Sequence, residues 1–222
     1  MTNWFPKAIW TIPNNRKEIF LTFDDGPIPK ITPWVLDILN QENIKATFFC
    51  VGDNVAKYPE LYQRILDEGH VVGNHTFNHV QGLKMSKSEF INNVNKARKF
   101  INSQLFRPPH GWLKRSQYKA ISKQYKIVMW DVISVDYNPA ISPKQCLQNV
   151  LEFTRSGSII TFHDSLKAEE NLKYALPRAI KELKAKGFQF NKIEFEKVKQ
   201  LYTDTQWGRF KQRTNQWKQK WA

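Results

Sequence analysis

Apolar residues in this chain fall into short continuous runs, separated by longer stretches in which they recur every three or four positions. The runs fit strands buried on both faces of a parallel sheet, and the periodic stretches fit helices covered on one side. Strands are predicted at 19–23, 46–51, 70–73, 105–107, 127–132, 158–162 and 188–193, and helices at 32–41, 59–68, 87–101, 116–124, 143–154 and 172–186. Ser86 followed by Glu89 has capping-box spacing, and Pro143 after Ser142 suits the first position of a helix. Alternation of this kind predicts an α/β fold of parallel βα units with seven strands.

The last residues break the pattern. Trp207, Phe210, Trp217 and Trp221 keep a helical rhythm, with Thr214 in the gap and Arg209, Lys211, Arg213, Lys218 and Lys220 interleaved. An amphipathic basic helix is expected there. Its aromatic stripe either docks on the domain or lies on an anionic membrane or cell-wall surface.

Composition narrows the class. A chain of 222 residues with 41% hydrophobic and 24% charged residues fits one α/β barrel domain, and no segment is apolar enough to span a bilayer. The formal net charge of +14 favours anionic partners, but no zinc-finger, RNP-type or basic-region motif accompanies it, so no specific nucleic-acid partner is expected. Residues 1–16 hold Trp4, Phe5 and Trp10 without a long apolar run, so no signal peptide is visible, and the chain is expected to be cytoplasmic or envelope-associated. Cys50 and Cys146 are isolated and read as buried thiols.

Chemistry concentrates where strands end. Leu21-Thr22-Phe23-Asp24-Asp25-Gly26-Pro27 delivers two carboxylates into a turn, which offers both a metal ligand and a general base. Gly73-Asn74-His75-Thr76-Phe77-Asn78-His79 follows another apolar pair and sets two imidazoles four apart, within reach of one ion. His70, ahead of that strand, reads as structural. Arg107 closes a third strand before two prolines and His110, and His163 closes a fourth with a pKa suited to proton transfer. Two histidines and a carboxylate form the ligand set of a catalytic metal site.

The order TFDDGP, NHTFNH, RPPHG, WDVISVDY and IITFHDS resembles the five-motif pattern of the polysaccharide deacetylases, the NodB-homology carbohydrate esterases of family 4. The resemblance, which covers roughly residues 19–194, implies a distorted TIM-like (β/α) barrel of about seven strands; residues 1–194 are expected to form the catalytic domain and 195–222 a basic, aromatic, helical extension. It implies Asp24 as base, Asp25, His75 and His79 as metal ligands, and Arg107 as the group that orients Asp24. His163 would be the acid, held by Asp136, and the backbone N–H of His110 an oxyanion donor. The implied activity is metal-assisted removal of N-acetyl groups from N-acetylglucosamine-containing glycans such as peptidoglycan or chitin-type oligomers. Zn²⁺ suits the ligand set best, with Co²⁺, Ni²⁺ or Mn²⁺ as alternatives.

The chain departs from that pattern at His110, usually Tyr; at Ile133, usually an acid; at Tyr137, usually Trp; and at Thr161, usually Leu. Tyr137 and Thr161 are therefore expected to make the acyl pocket more polar. Two other readings use the same residues: an O-acetyl sugar esterase or small cyclic amide hydrolase, and a glycan-binding barrel without turnover.

Overall fold

The computed structural model describes residues 5–199 apart from 197; the amphipathic helix expected over 207–221, with its surface role, lies outside them. The strand β1 (Glu18–Asp24) is buried throughout its length. With β2 (Thr47–Cys50), β3 (Val71–Asn74), β4 (Leu105–Phe106), β5 (Lys126–Ile127), β6 (Val132–Ile133) and β7 (Ile159–His163) it forms a parallel sheet ordered β5-β4-β3-β2-β1-β7-β6. A further strand, β8 (Gln189–Asn191), pairs with Glu18–Phe20, below the stretch of β1 that pairs with β2.

The apolar run expected as one strand over 127–132 divides in two. Its first part, β5, pairs with β4, and its continuation, β6, pairs with β7 at the opposite end of the sheet. The intervening backbone also changes partners: Val128 N–H donates to Phe106 O, Met129 N–H to Ile9 O and Asp131 N–H to Ile159 O. One stretch of chain thus meets both ends of the sheet, which curls it into a distorted barrel. Isolated bridges from Ile9 to Val128 and from Thr11 to Ser158 reinforce the closure.

Strand alternation sorts the side chains into two populations. Ile19, Leu21, Phe23, Ile160 and Phe162 face outward into one cluster with Val35, Leu36 and Leu39 of α1 (Ile31–Gln41), Val150 of α6 (Pro143–Phe153), and Leu172, Leu176, Ile180 and Leu183 of α7 (Glu169–Ala185). Each such fully buried side chain contributes roughly 1.5–3 kcal/mol through removal from water. Phe20, Phe49, Leu105, Val128 and Ile159 face inward, and Ile193, Val198 and partly buried Phe195 pack with them, so interior packing runs past Glu194.

Two predicted helix starts are built as expected. The Ser86 hydroxyl accepts from Glu89 N–H at 3.2 Å and the Glu89 carboxylate accepts from Ser86 N–H at 2.9 Å, closing a capping box. Ser142 accepts from Gln145 N–H at 3.1 Å with Pro143 in the first turn. A short helix, α2 (Gly52–Lys57), was not expected, because six residues are too few to show a helical period. Cys50 and Cys146 are free and buried.

Candidate active site

Asp24 is the last residue of β1, and Asp25 follows with φ 86°, a left-handed conformation that releases it from strand alternation. Both acids line one cavity of about 250 Å³ at the carboxyl ends of the strands. The cavity is shared with His75, His79, His110, Trp130, Ile133, Tyr137, His163 and Lys167.

The loop after β3 carries the paired histidines. It is a compact loop rather than a helical turn: Asn74 Oδ1 accepts from Thr76 N–H at 2.8 Å, Asn93 Oδ1 accepts from Phe77 N–H at 2.7 Å, and Thr76 and His79 have positive φ. These contacts bring the two rings to 5.1 Å between centroids. His75 Nδ1 lies 2.8 Å from the Arg107 carbonyl, which can only accept, so Nδ1 bears the hydrogen and Nε2 is left as a lone pair. Asp25 Oδ1 lies 3.1 Å from His79 Nε2 and 3.8 Å from His75 Nε2. Although buried, that oxygen has no hydrogen bond of acceptable geometry among the described residues. The three groups place one donor atom each within 4.8 Å of one another, and this set of two imidazoles and a carboxylate fits a divalent ion. Burial opposes the charge on Asp25, but the adjacent His79 and the nearby His163 and His75 hold its carboxyl well below the usual range. Burial pushes His75 down to about 4, against the pull of Asp24 and Asp25. Both shifts leave the groups in the protonation states that ligands need.

Arg107 is fully buried below this point. Its Nη1 donates to Asp24 Oδ1 at 2.6 Å, while Nε and Nη2 donate to the carbonyls of Val128 and Met129 at 3.2 and 2.9 Å. Its guanidinium carbon lies 4.0 Å from the Phe49 ring centroid. Gly73, the register partner of Phe49, leaves space for that ring, since a Cβ there would overlap it. Burial lowers the Arg107 pKa and the Asp24 carboxylate works against that loss. The ion pair thus ties β1 to the 126–133 stretch that closes the barrel.

On the other side, His163 ends β7 as the register partner of Asp24. Asp136 receives it twice: Oδ2 accepts from His163 N–H at 2.8 Å and Oδ1 lies 2.7 Å from Nδ1. Asp136 is itself buried, and its carbonyl accepts from Asn171 at 3.0 Å. Burial disfavours the imidazolium of His163, but the Asp136 carboxylate outweighs it and lifts the pKa to about 9. His70 sits apart, its Nδ1 accepting from Ala46 N–H at 3.1 Å, as suits a structural residue.

Of the three residues expected around the acyl group, two reach the cavity. His110, with φ 60°, sets its ring 4.9 Å from that of His79, and Tyr137 stands edge-on to His163 at 4.8 Å. Thr161 does not line it. It lies one inward-facing rung below His163 on β7, fully buried, with its hydroxyl 3.1 Å from both Thr22 Oγ1 and Arg107 Nη1. The apolar wall comes instead from Trp130 and Ile133, on the stretch that closes the barrel, and Lys167 adds a cation. Trp130 and Lys167 were missed because neither belongs to a strand-end acid or histidine signal. Asp164 was passed over as the neighbour of His163, yet it is fully buried and lifted by burial to about 8, with its hydrogen bonds opposing the rise.

A protein-family model described as polysaccharide deacetylase matches residues 11–130, which include both acids, both histidines and Arg107. This chain belongs to the polysaccharide deacetylases. A peptidoglycan-N-acetylglucosamine deacetylase of Bacillus cereus is 37% identical to it over 198 residues, spanning 85% of this chain and 72% of that protein. A peptidoglycan-N-acetylmuramic acid deacetylase of Bacillus subtilis is 33% identical, with 85% of this chain matched to 41% of that protein. A solved peptidoglycan N-acetylglucosamine deacetylase has a TM-score of 0.79 at 36% identity, covering 84% of this chain and 91% of that one. The distorted barrel expected from the motifs is therefore the fold of this deacetylase, and its class is that of a hydrolase.

Proposed function

We propose that this polysaccharide deacetylase hydrolyses the N-acetyl group of N-acetylglucosamine units in peptidoglycan or a related envelope glycan, with Zn²⁺ as its metal. The observation that carries this reading is the meeting, around one cavity, of a ligand triad (Asp25, His75, His79), an arginine-held carboxylate (Asp24) and an aspartate-held imidazole (His163). The similarity to named peptidoglycan deacetylases supports the choice of substrate.

Asp25, His75 and His79 would hold the ion, which when bound supplies Lewis acidity to the acyl oxygen and to water. Two imidazoles and one carboxylate favour Zn²⁺ by ligand type, while Co²⁺, Ni²⁺ and Mn²⁺ fit the same set. Asp24, oriented by Arg107, removes a proton from water as its oxygen adds to the acetyl carbon. The backbone N–H of His110 stabilises the oxyanion. His163 then protonates the nitrogen as the C–N bond breaks, leaving acetate and a free amine; Asp136 keeps that proton available at neutral pH. Trp130, Ile133 and Tyr137 enclose the acyl group.

Acetate release from a panel of acetylated glycans, with chelated and Zn²⁺-reloaded protein, tests the reading. Metal-dependent release from peptidoglycan or chito-oligosaccharides, with loss of acetyl mass from an amino sugar, is expected. Release from acetylated xylan alone would overturn it.

A further inference from the structure

Asp164 is a buried carboxyl that takes no part in the proposed proton transfers, yet its contacts span the segment that carries Asp24 and Asp25. Its backbone N–H donates to the Asp24 carbonyl at 3.0 Å. Its Oδ1 accepts from Gly26 N–H at 3.0 Å, and its Oδ2 accepts from the Thr32 hydroxyl at 2.5 Å. Thr32 in turn accepts from Ile28 N–H at 2.7 Å, so one carboxyl reaches residues on both sides of the Gly26-Pro27 bond. The approach is close enough that a Cβ at Gly26 would overlap the carboxylate, which explains why glycine follows Asp25.

The opposite side of the turn is held separately. Asn54 Nδ2 donates to the Asp25 carbonyl at 2.7 Å and Val51 N–H donates to the Gly26 carbonyl at 2.9 Å. The peptide between Asp25 and Gly26 is thus clamped at its carbonyl by Asn54 and at its N–H by Asp164. Asp25 has φ 86°, a conformation a non-glycine residue keeps only when its neighbours impose it.

We propose that Asp164 is the positioning residue of the metal site: by holding the Gly26 N–H and the first turn of α1, it fixes the backbone of Asp25 so that Oδ1 meets His75 and His79. The inference rests on the reading of Asp25, His75 and His79 as ligands. It couples the fifth motif to the first, with His163 and Asp164 serving different functions from adjacent positions. Groups that orient a ligand typically govern metal affinity by about 10- to 100-fold.

The test is Zn²⁺ affinity of the full chain, measured by competition with a chromophoric chelator, with thermal melting of the chelated protein as a check on folding. Asp164→Ala is expected to weaken Zn²⁺ binding at least about 10-fold, and Asp164→Asn, which keeps an oxygen for Gly26 N–H, is expected to restore most of it. Thr32→Val, which removes only one arm, serves where the alanine variant does not fold, and a several-fold loss is expected. Wild-type affinity in a folded Asp164→Ala or Thr32→Val protein overturns the proposal while leaving the metal reading intact. Absence of Zn²⁺ binding by the wild type overturns both.

Discussion

Asp24 and His163 are register partners on adjacent parallel strands, each held by a buried partner of opposite charge: Arg107 for Asp24 and Asp136 for His163. The proposed base and acid are thus presented at the same height of the barrel, with the proposed ligand triad beside them.

The His163–Asp136 pair is expected to set an alkaline limit on activity. With a pKa lifted to about 9, His163 carries its proton through neutral pH and loses it as pH rises through that value. Asp136→Asn removes the charge that opposes desolvation, so the alkaline limb of kcat/KM is expected to move toward neutrality. A pH–rate profile checks this, and an unmoved limb would show that another group sets it.

The adjacent acids are expected to fail in different ways. Asp24→Asn should retain Zn²⁺ and lose roughly 10²- to 10⁴-fold in kcat, the usual contribution of a positioned general base. Asp25→Asn should lose metal affinity itself. Metal titration beside single-substrate kinetics separates the two, and equal metal loss in both variants would contradict the division of labour.

Arg107 is the stability risk at the centre of the site. Arg107→Met strands a buried carboxylate at Asp24 and is expected to destabilise the chelated protein by roughly 3–5 kcal/mol, as removal of one partner of a buried ion pair does. Urea unfolding measures it. Arg107→Lys keeps the charge but not the contacts of Nε and Nη2 with the Val128 and Met129 carbonyls, so it should fall between wild type and the methionine variant.

Stability of the metal-free protein should fall as pH rises from about 6.5 to about 9. His163, lifted to about 9 by Asp136, and Asp164, lifted to about 8 by burial, keep protons in the folded chain that the unfolded chain has lost, and that contribution disappears as pH passes each value. Below about 6.5 the shifts oppose one another, because burial holds His70 and His75 near 4 while it lifts Asp131 to about 6 and Asp164 to about 8. Melting temperatures of chelated protein across the alkaline range test this, and a rise with pH would contradict it.

Acyl selectivity should reside in Ile133 rather than Thr161. Thr161→Val is expected to leave the acetyl-to-propionyl preference unchanged, while Ile133→Ala should shift it by an amount worth roughly 1–3 kcal/mol. Competitive hydrolysis of the two amides decides between them.

Residue order made most of this site legible, because strand-end acids and histidines in a βα chain converge at one end of the sheet. His75 and His79 could be paired from spacing alone, although the structure joins them by a loop. Thr161 was misplaced by motif position: strand parity makes it inward-facing, and only the depth of Arg107 puts it below the cavity floor. Asp164 was illegible because its role is exercised through the backbone of Gly26, which leaves no pattern in neighbouring side-chain types.

The stretch that supplies both β5 and β6 bears on how molecules of this protein meet one another. An open sheet offers unpaired N–H and C=O groups that can template cross-chain pairing. Here both ends of the sheet are two-residue strands joined through 128–131, and that connector is already paired with Phe106, Ile9 and Ile159. Among the described residues neither end offers a long unpaired strand, so this closure disfavours edge-to-edge pairing between chains.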